Sequence, residues 1–279
     1  MDTEITVLTN NVSSDSELLT EHGLAFFIRV GHYKIIFDTG QEPNVLEHNL
    51  RKIKVDLQDL NAIVLSHGHY DHTGGLSSVL ALAGKAEVYA HPAALNTRYS
   101  VRPEKVKFIG MPAASRQTLE KLPQNRRHWS ESPLFLTERV GITGFIPRVN
   151  DYEDAGGPFY FDSAGEFADP VHDDQALWIN SSQGLIICAG CAHAGIINTI
   201  NYIREISGCN RIHAVIGGLH LVNASQLRID KTIEALRVIN PHLIVPCHCT
   251  GAAATEQILT SFQDHATVGA VGSSFSFPL

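Results

Sequence analysis

Six consecutive residues, His67-Gly68-His69-Tyr70-Asp71-His72, constrain this 279-residue chain more than any other feature. They follow the apolar run NAIVLS and precede Thr73-Gly74-Gly75 and a further apolar stretch, which places them on a turn between a strand and a helix. A turn can bring all four metal-competent side chains to one point, which neither helical nor strand periodicity allows. Imidazole and carboxylate together suit zinc, and also manganese or iron. With no ion at its centre such a turn would set these groups against one another, so the pattern argues for a metal site.

Two ions need more donors than one turn supplies. The second half of the chain offers four places where a strand signal ends: His172-Asp173-Asp174, Cys191-Ala192-His193, His220 in GGLH and His248 in PCHCTG. Ends of strands are where α/β folds gather their site residues. The flanking pattern supports that fold class. EITVLT, LAFFIRV, HYKIIFDTG, NAIVLS and AEVYAH read as strands, with helices over Pro43 to Ile53 and Thr73 to Ala83. The rhythm returns with ALWIN, GLIICAG, RIHAVIGG and HLIVP, separated by helices near 195–206, 224–239 and 252–262. Each half holds part of one site, so a single layered α/β domain over residues 1–279 is expected.

Between the halves, residues 96–170 carry scattered Pro and Gly and few periodic stretches, which reads as an insertion or lid. Residues 98–148 hold ten cations, among them Arg98, Arg102, Lys107 and Arg148, against four acids, a local charge of +6 in a chain of −8. An acidic whole with one basic segment fits a small anionic substrate. It does not fit nucleic acid, whose binders are basic across the domain. No apolar run approaches the roughly 18 residues of a membrane span, and the N-terminus has no signal-peptide pattern, so no membrane partner is expected. The five cysteines cannot all pair within the chain, which suggests a reducing, cytoplasmic setting. The sequence does not specify an oligomeric state.

Phe37-Asp38-Thr39-Gly40 lies upstream of the His67 to His72 turn, later strand ends carry His172 and His193, and His248 comes near the end. In these pieces, and over its full length, the chain resembles the metallo-β-lactamase superfamily. More narrowly, DDQAL, GCAHAGIINT, GGLHL and HCTG are similar to the branch named for dihydropterin ribofuranosylaminobenzene phosphate synthase. The resemblance implies an α/β, four-layer αββα sandwich holding two divalent ions, Zn2+ foremost, with Mn2+ or Fe2+ as alternatives. It implies His67 and His69 as ligands of a first ion and Asp71, His72 and His248 as ligands of a second, with Asp38 orienting the ligand turn. The usual later ligand and bridging Asp are replaced by Gly190-Cys191-Ala192-His193. His193 is taken as a ligand because strand alternation would point it the same way as Cys191. His172, Asp174 and Cys191 are further candidates.

The implied chemistry is hydrolysis of a small anionic ester, phosphodiester or lactone by a metal-bound hydroxide, formed from a water whose pKa is lowered toward neutrality. Asp71 would hold that water, and His220 would protonate the leaving group. Arg148 through a bidentate pair, and Thr250 at a helix start, would contact the anion. Two other readings stay open: a synthase joining a dihydropterin methyl carbon to an arylamine phosphate, and a non-catalytic metal-binding protein. A redox enzyme fits less well, since His69 stands where the oxygen-reducing di-iron members carry Glu. A cysteine hydrolase built on Cys191 and His193 lacks the G-x-C-x-G spacing.

Overall fold

Strands whose every residue is apolar need cover on both faces, and in the computed structural model, which describes residues 2–279, they have it. One sheet runs in the order Ser274–Pro278, Asp2–Thr9, Ala25–Val30, Tyr33–Phe37, Ala62–Val64, Glu87–Ala90, Arg127–Trp129. A second runs Leu243–Cys247, Ile212–Gly218, Gly184–Ala189, Ala176–Ser181, Val140–Ile142, Leu134–Phe135. The side-chain period of two then sorts each strand between two cores. Ile35 and Phe37 face inward with Phe26 and Val64, against Leu177, Ile186, Cys188 and Val245 of the other sheet.

The alternate residues face helices. Ile36, Ile63 and Val88 pack with Leu46 and Leu50 of the helix Pro43–Ile53 and Val79 of Leu76–Leu82. On the opposite side, Leu185 and Ile187 meet Ile200 of Ile196–Ser207, Ile233 of Gln226–Ile239 and Ile258 of Ala252–Phe262. The layers are therefore helix, sheet, sheet, helix. Among the described residues, no helix is long and apolar enough to cross a membrane.

Two expectations are corrected. The helix expected over Thr73 to Ala83 is broken into Tyr70–Thr73 and Leu76–Leu82. Gly74 and Gly75 sit between them, where a Cβ would run into the carbonyl oxygens of Gln41 and Thr39. This close approach docks the His67 to His72 turn onto the Asp38 loop. The 96–170 segment, expected as an insertion or lid, is woven into both sheets. It supplies Arg127–Trp129 to the first sheet and Leu134–Phe135 and Val140–Ile142 to the second, and it builds a small sheet of Phe159–Tyr160, Tyr99–Arg102 and Lys105–Phe108.

Candidate metal centre

Parallel strands carry their C-terminal ends to one side of a sheet, and here both sheets use the same end. Tyr33–Phe37 and Ala62–Val64 pair in parallel, as do Gly184–Ala189, Ile212–Gly218 and Leu243–Cys247. Beyond these ends lie Asp38, the His67 to His72 turn, Cys191 to His193, His220 and His248. Asp38 (φ 60°), Ala192 (φ 54°), His220 (φ 46°) and His248 (φ 46°) all adopt left-handed backbone. For residues other than glycine this costs on the order of 1–3 kcal/mol each, and it concentrates at functional sites. Cys191 and His193 do share one cleft, but the strand stops at Ala189, and the turn at Ala192 brings them together instead of strand alternation.

The buried Asp38 carboxylate organises the turn. Its Oδ1 accepts from the Ser66 backbone N–H at 2.7 Å, and its Oδ2 accepts from Ser66 Oγ and His72 Nδ1, each at 2.7 Å. Ser66 Oγ, having spent its proton on Asp38, accepts from His67 Nδ1 at 2.8 Å. His193 Nδ1 donates to the Ala155 carbonyl at 2.8 Å, and His248 Nδ1 to Asn11 Oδ1 at 2.9 Å. Four imidazoles thus have Nδ1 occupied by an acceptor, which leaves Nε2 as the lone pair aimed into the cleft. Partners of this kind fix the tautomer and direction of a metal-ligating histidine. Gly190 is required beside them, since a Cβ there would strike Ser66 Oγ and Asp38 Oδ2.

Two donor sets emerge. His67, His69 and His193 form one, with His67 Nε2 2.9 Å from His69 Nδ1 and His193 Nε2 buried without a partner. An unpartnered buried nitrogen is costly, and a cation among these three would satisfy it. Burial first, then neighbouring histidines, holds His67 and His193 well below the usual imidazole range. Burial and the Arg98 charge lower His69 to about 3. All three are neutral, as ligation requires.

The other set centres on Asp71, whose Oδ2 lies 3.3 Å from His248 Nε2 and 3.9 Å from His72 Nε2. Cys191 Sγ is 3.1 Å from that same His72 nitrogen. Burial pushes the Asp71 carboxyl up, but His72 and His248 hold it well below its ordinary range. Burial likewise opposes charge on His72, yet Asp38 and Asp71 raise it to about 9. Burial keeps the Cys191 thiol up, while its hydrogen bond draws Cys249 down against the same burial. Carboxylate, imidazole and thiol donors of this kind suit divalent transition metals.

Residues 20–248 match the family model described as the metallo-beta-lactamase superfamily. The chain belongs to this superfamily. It is 30% identical over 259 residues to a protein of Methanocaldococcus jannaschii named 7,8-dihydropterin-6-methyl-4-(beta-D-ribofuranosyl)-aminobenzene-5'-phosphate synthase, covering 90% of this chain and 88% of that protein. A second protein of that organism, MJ0448, is 30% identical over 257 residues, covering 91% of this chain and 93% of its own length. Among solved structures, Tm1679, titled a metal-dependent hydrolase of the beta-lactamase superfamily, aligns with a TM-score of 0.82. It shares 28% identity, covering 99% of this chain and all of that one.

Within this superfamily fold, several expected contacts fall elsewhere. His172 is exposed, with its ring against Phe145, and belongs to neither donor set. Asp174 is buried behind the cleft, where its carboxylate accepts the Ala194 N–H at 2.7 Å and braces the Cys191 to His193 turn. Burial raises it to about 7. Arg148 donates to the backbone carbonyls of Pro170 and His193, so it buttresses the His193 turn, and it is not among the residues lining the cleft. Thr250 is buried, its Oγ1 accepting from the Leu219 N–H. His220 does reach the cleft: its ring centroid is 4.2 Å from that of His193, and its Nδ1 is buried without a partner.

Two contributors were not anticipated. His22, in Glu21-His22-Gly23, brings Nε2 to 3.3 Å from Asp71 Oδ2 from the loop before the second strand. Arg98, the first residue of the basic segment, is wholly buried between Asp169 and Asp173, and Asp173 also accepts the Gly68 N–H at 2.7 Å. The Asp-Asp pair after His172 was a usable signal for Arg98, whereas a lone His before a strand offers none. His193→Ala is expected to lower bound metal by about one equivalent per chain, since three imidazoles are the minimum protein set of an open site. Metal analysis of protein purified without added metal checks this, and undiminished stoichiometry removes His193 from the donors.

Proposed function

We propose that this protein is a metal-dependent hydrolase of a small anionic substrate, an ester, phosphodiester or lactone. The observation that carries the reading is the convergence of inward-facing lone pairs at the base of an open cavity of about 870 Å³. A saturated structural site has no need of such a space. Of the ten cations in the basic segment, Arg102 and Lys107 line the cavity. Lys107 Nζ donates to Tyr70 Oη at 2.6 Å and lies over the same ring at 3.9 Å from its centroid. These two cations replace Arg148 and Thr250 as the groups that draw an anion in. Phe159, 5.3 Å from the His69 ring, gives the same wall an apolar face.

Divalent ions bound by the two donor sets would supply an activated water and stabilise negative charge developing on the attacked group. The chain's own residues do the rest. Asp71, fully ionised, orients the attacking water through its carboxylate. His220 is held by Nε2 to the Gly156 carbonyl at 3.3 Å, which leaves Nδ1 free to carry the proton that the leaving group receives. Lys107 and Arg102 hold the anionic portion away from the reacting bond. The five free thiols suit a reducing, cytoplasmic setting.

A second reading is favoured by the 30% identity to the synthase over nine-tenths of the chain. On that reading the same cavity joins a dihydropterin methyl carbon to an arylamine phosphate. One experiment separates the two: metal-loaded protein is offered a panel of esters, phosphodiesters and lactones, and separately a pterin pyrophosphate with an arylamine phosphate. Turnover of the panel supports the hydrolase, and a condensed product without panel turnover replaces it with the synthase. Inactivity toward both, with metal bound, favours a metal-binding role.

A further inference from the structure

Four of the five cysteines are buried, and they fall into two kinds. Cys188 and Cys247 pack in the apolar layer between the sheets, as buried cysteines commonly do. Cys191 and Cys249 are also buried but belong to none of the apolar clusters. Cys191, Cys247 and Cys249 all line the cavity, but it is Cys191 Sγ, Cys249 Sγ and a ring nitrogen of His248 that lie within 4.8 Å of one another. The backbone is shaped around this pair. A Cβ on Gly218 would stand 2.5 Å from Cys249 Sγ, and the left-handed turns at His248 and Gly251 set the short helix that presents the sulfur.

We propose that Cys191 and Cys249 are both sulfur donors of the metal centre, giving the ion beside His72 and His248 a mixed sulfur and nitrogen environment. The inference rests on reading the cleft as a metal centre. Its consequence is selectivity: paired thiolates favour zinc or cobalt over manganese and magnesium, which prefer oxygen. The usual carboxylate bridge is thereby exchanged for softer donors from two strand ends, one after Gly184–Ala189 and one after Leu243–Cys247.

The test loads the full chain with cobalt(II) under anaerobic conditions and records both bound cobalt and near-ultraviolet absorption. The native protein is expected to show a sulfur-to-cobalt charge-transfer band. Cys249→Ser lowers that band about twofold, and Cys191→Ser/Cys249→Ser abolishes it, because each thiolate contributes separately. Cys209→Ser, on a half-buried cysteine remote from the cleft, leaves it unchanged. Bound cobalt with no band, or with a band that Cys249→Ser does not move, overturns the proposal while leaving the metal centre standing. Failure to bind cobalt or zinc at all overturns both. Should the variants not fold, X-ray absorption of the zinc-loaded native protein decides. Two sulfurs per chain at about 2.3 Å support the pair, and one or none overturns it.

Discussion

Asp71→Asn lowers kcat/KM by about a thousandfold or more and leaves the folded structure in place. Asp71 is the carboxylate shared by His72, His248 and His22, and Asn keeps its shape while removing its charge. An electrostatic term of several kcal/mol disappears with it, and each 1.4 kcal/mol is a factor of ten in rate. Bound metal falls with it, because the second donor set loses its one carboxylate. Steady-state kinetics on the best substrate of the panel, beside metal analysis and circular dichroism, measure all three quantities. Activity within tenfold of the native protein would remove Asp71 from the reaction.

Arg98→Met produces the largest loss of stability expected of any single change described above. Its guanidinium is fully buried between Asp169 and Asp173, so replacing it leaves two buried carboxylates without a counter-charge. Breaking a buried pair in this way typically costs about 3–5 kcal/mol, which corresponds to a fall of roughly 10 °C in melting temperature for a chain of this size. The damage reaches the cleft, because Asp173 also holds the Gly68 N–H inside the ligand turn. Metal affinity should therefore fall along with the melting temperature. Adding Asp173→Asn to Arg98→Met is expected to recover part of the stability by removing one orphaned charge. A melting temperature unchanged by Arg98→Met would show the pair to be dispensable.

What could be read in the sequence follows from how far apart the cooperating residues lie. His67, His69, Asp71 and His72 are contiguous, so their convergence is a local property of one turn. His193, His220 and His248 were reachable through the general tendency of strand ends to gather site residues. The four layers were implied by the family resemblance; runs such as GLIICA, apolar on both faces, show only that both faces must be covered. The direction of each cation was not legible. Arg148, Arg126 and Arg127 spend their donors on backbone carbonyls, whereas Arg102 and Lys107, in the same segment, face the cavity. Local charge cannot distinguish these fates, because the acceptors are backbone carbonyls, 7 and 8 residues from Arg127 but 40 from Arg126 and 22 and 45 from Arg148. His22 was hidden because its approach to Asp71 is set by the register of the first three strands.

The placement of the donors also bears on how much folded protein exists at any moment. His67 and His69 hang from the end of one sheet and His193 from the end of the other. An ion bound among them would be a clasp across the seam of the sandwich, absent from any unfolded chain. Binding at a thousand times the dissociation constant adds about 4 kcal/mol to folding, comparable to the Arg98 ion pairs. Starvation for the metal should therefore loosen the seam as well as silence the site, and the lifetime of the protein becomes a readout of the metal supply around it.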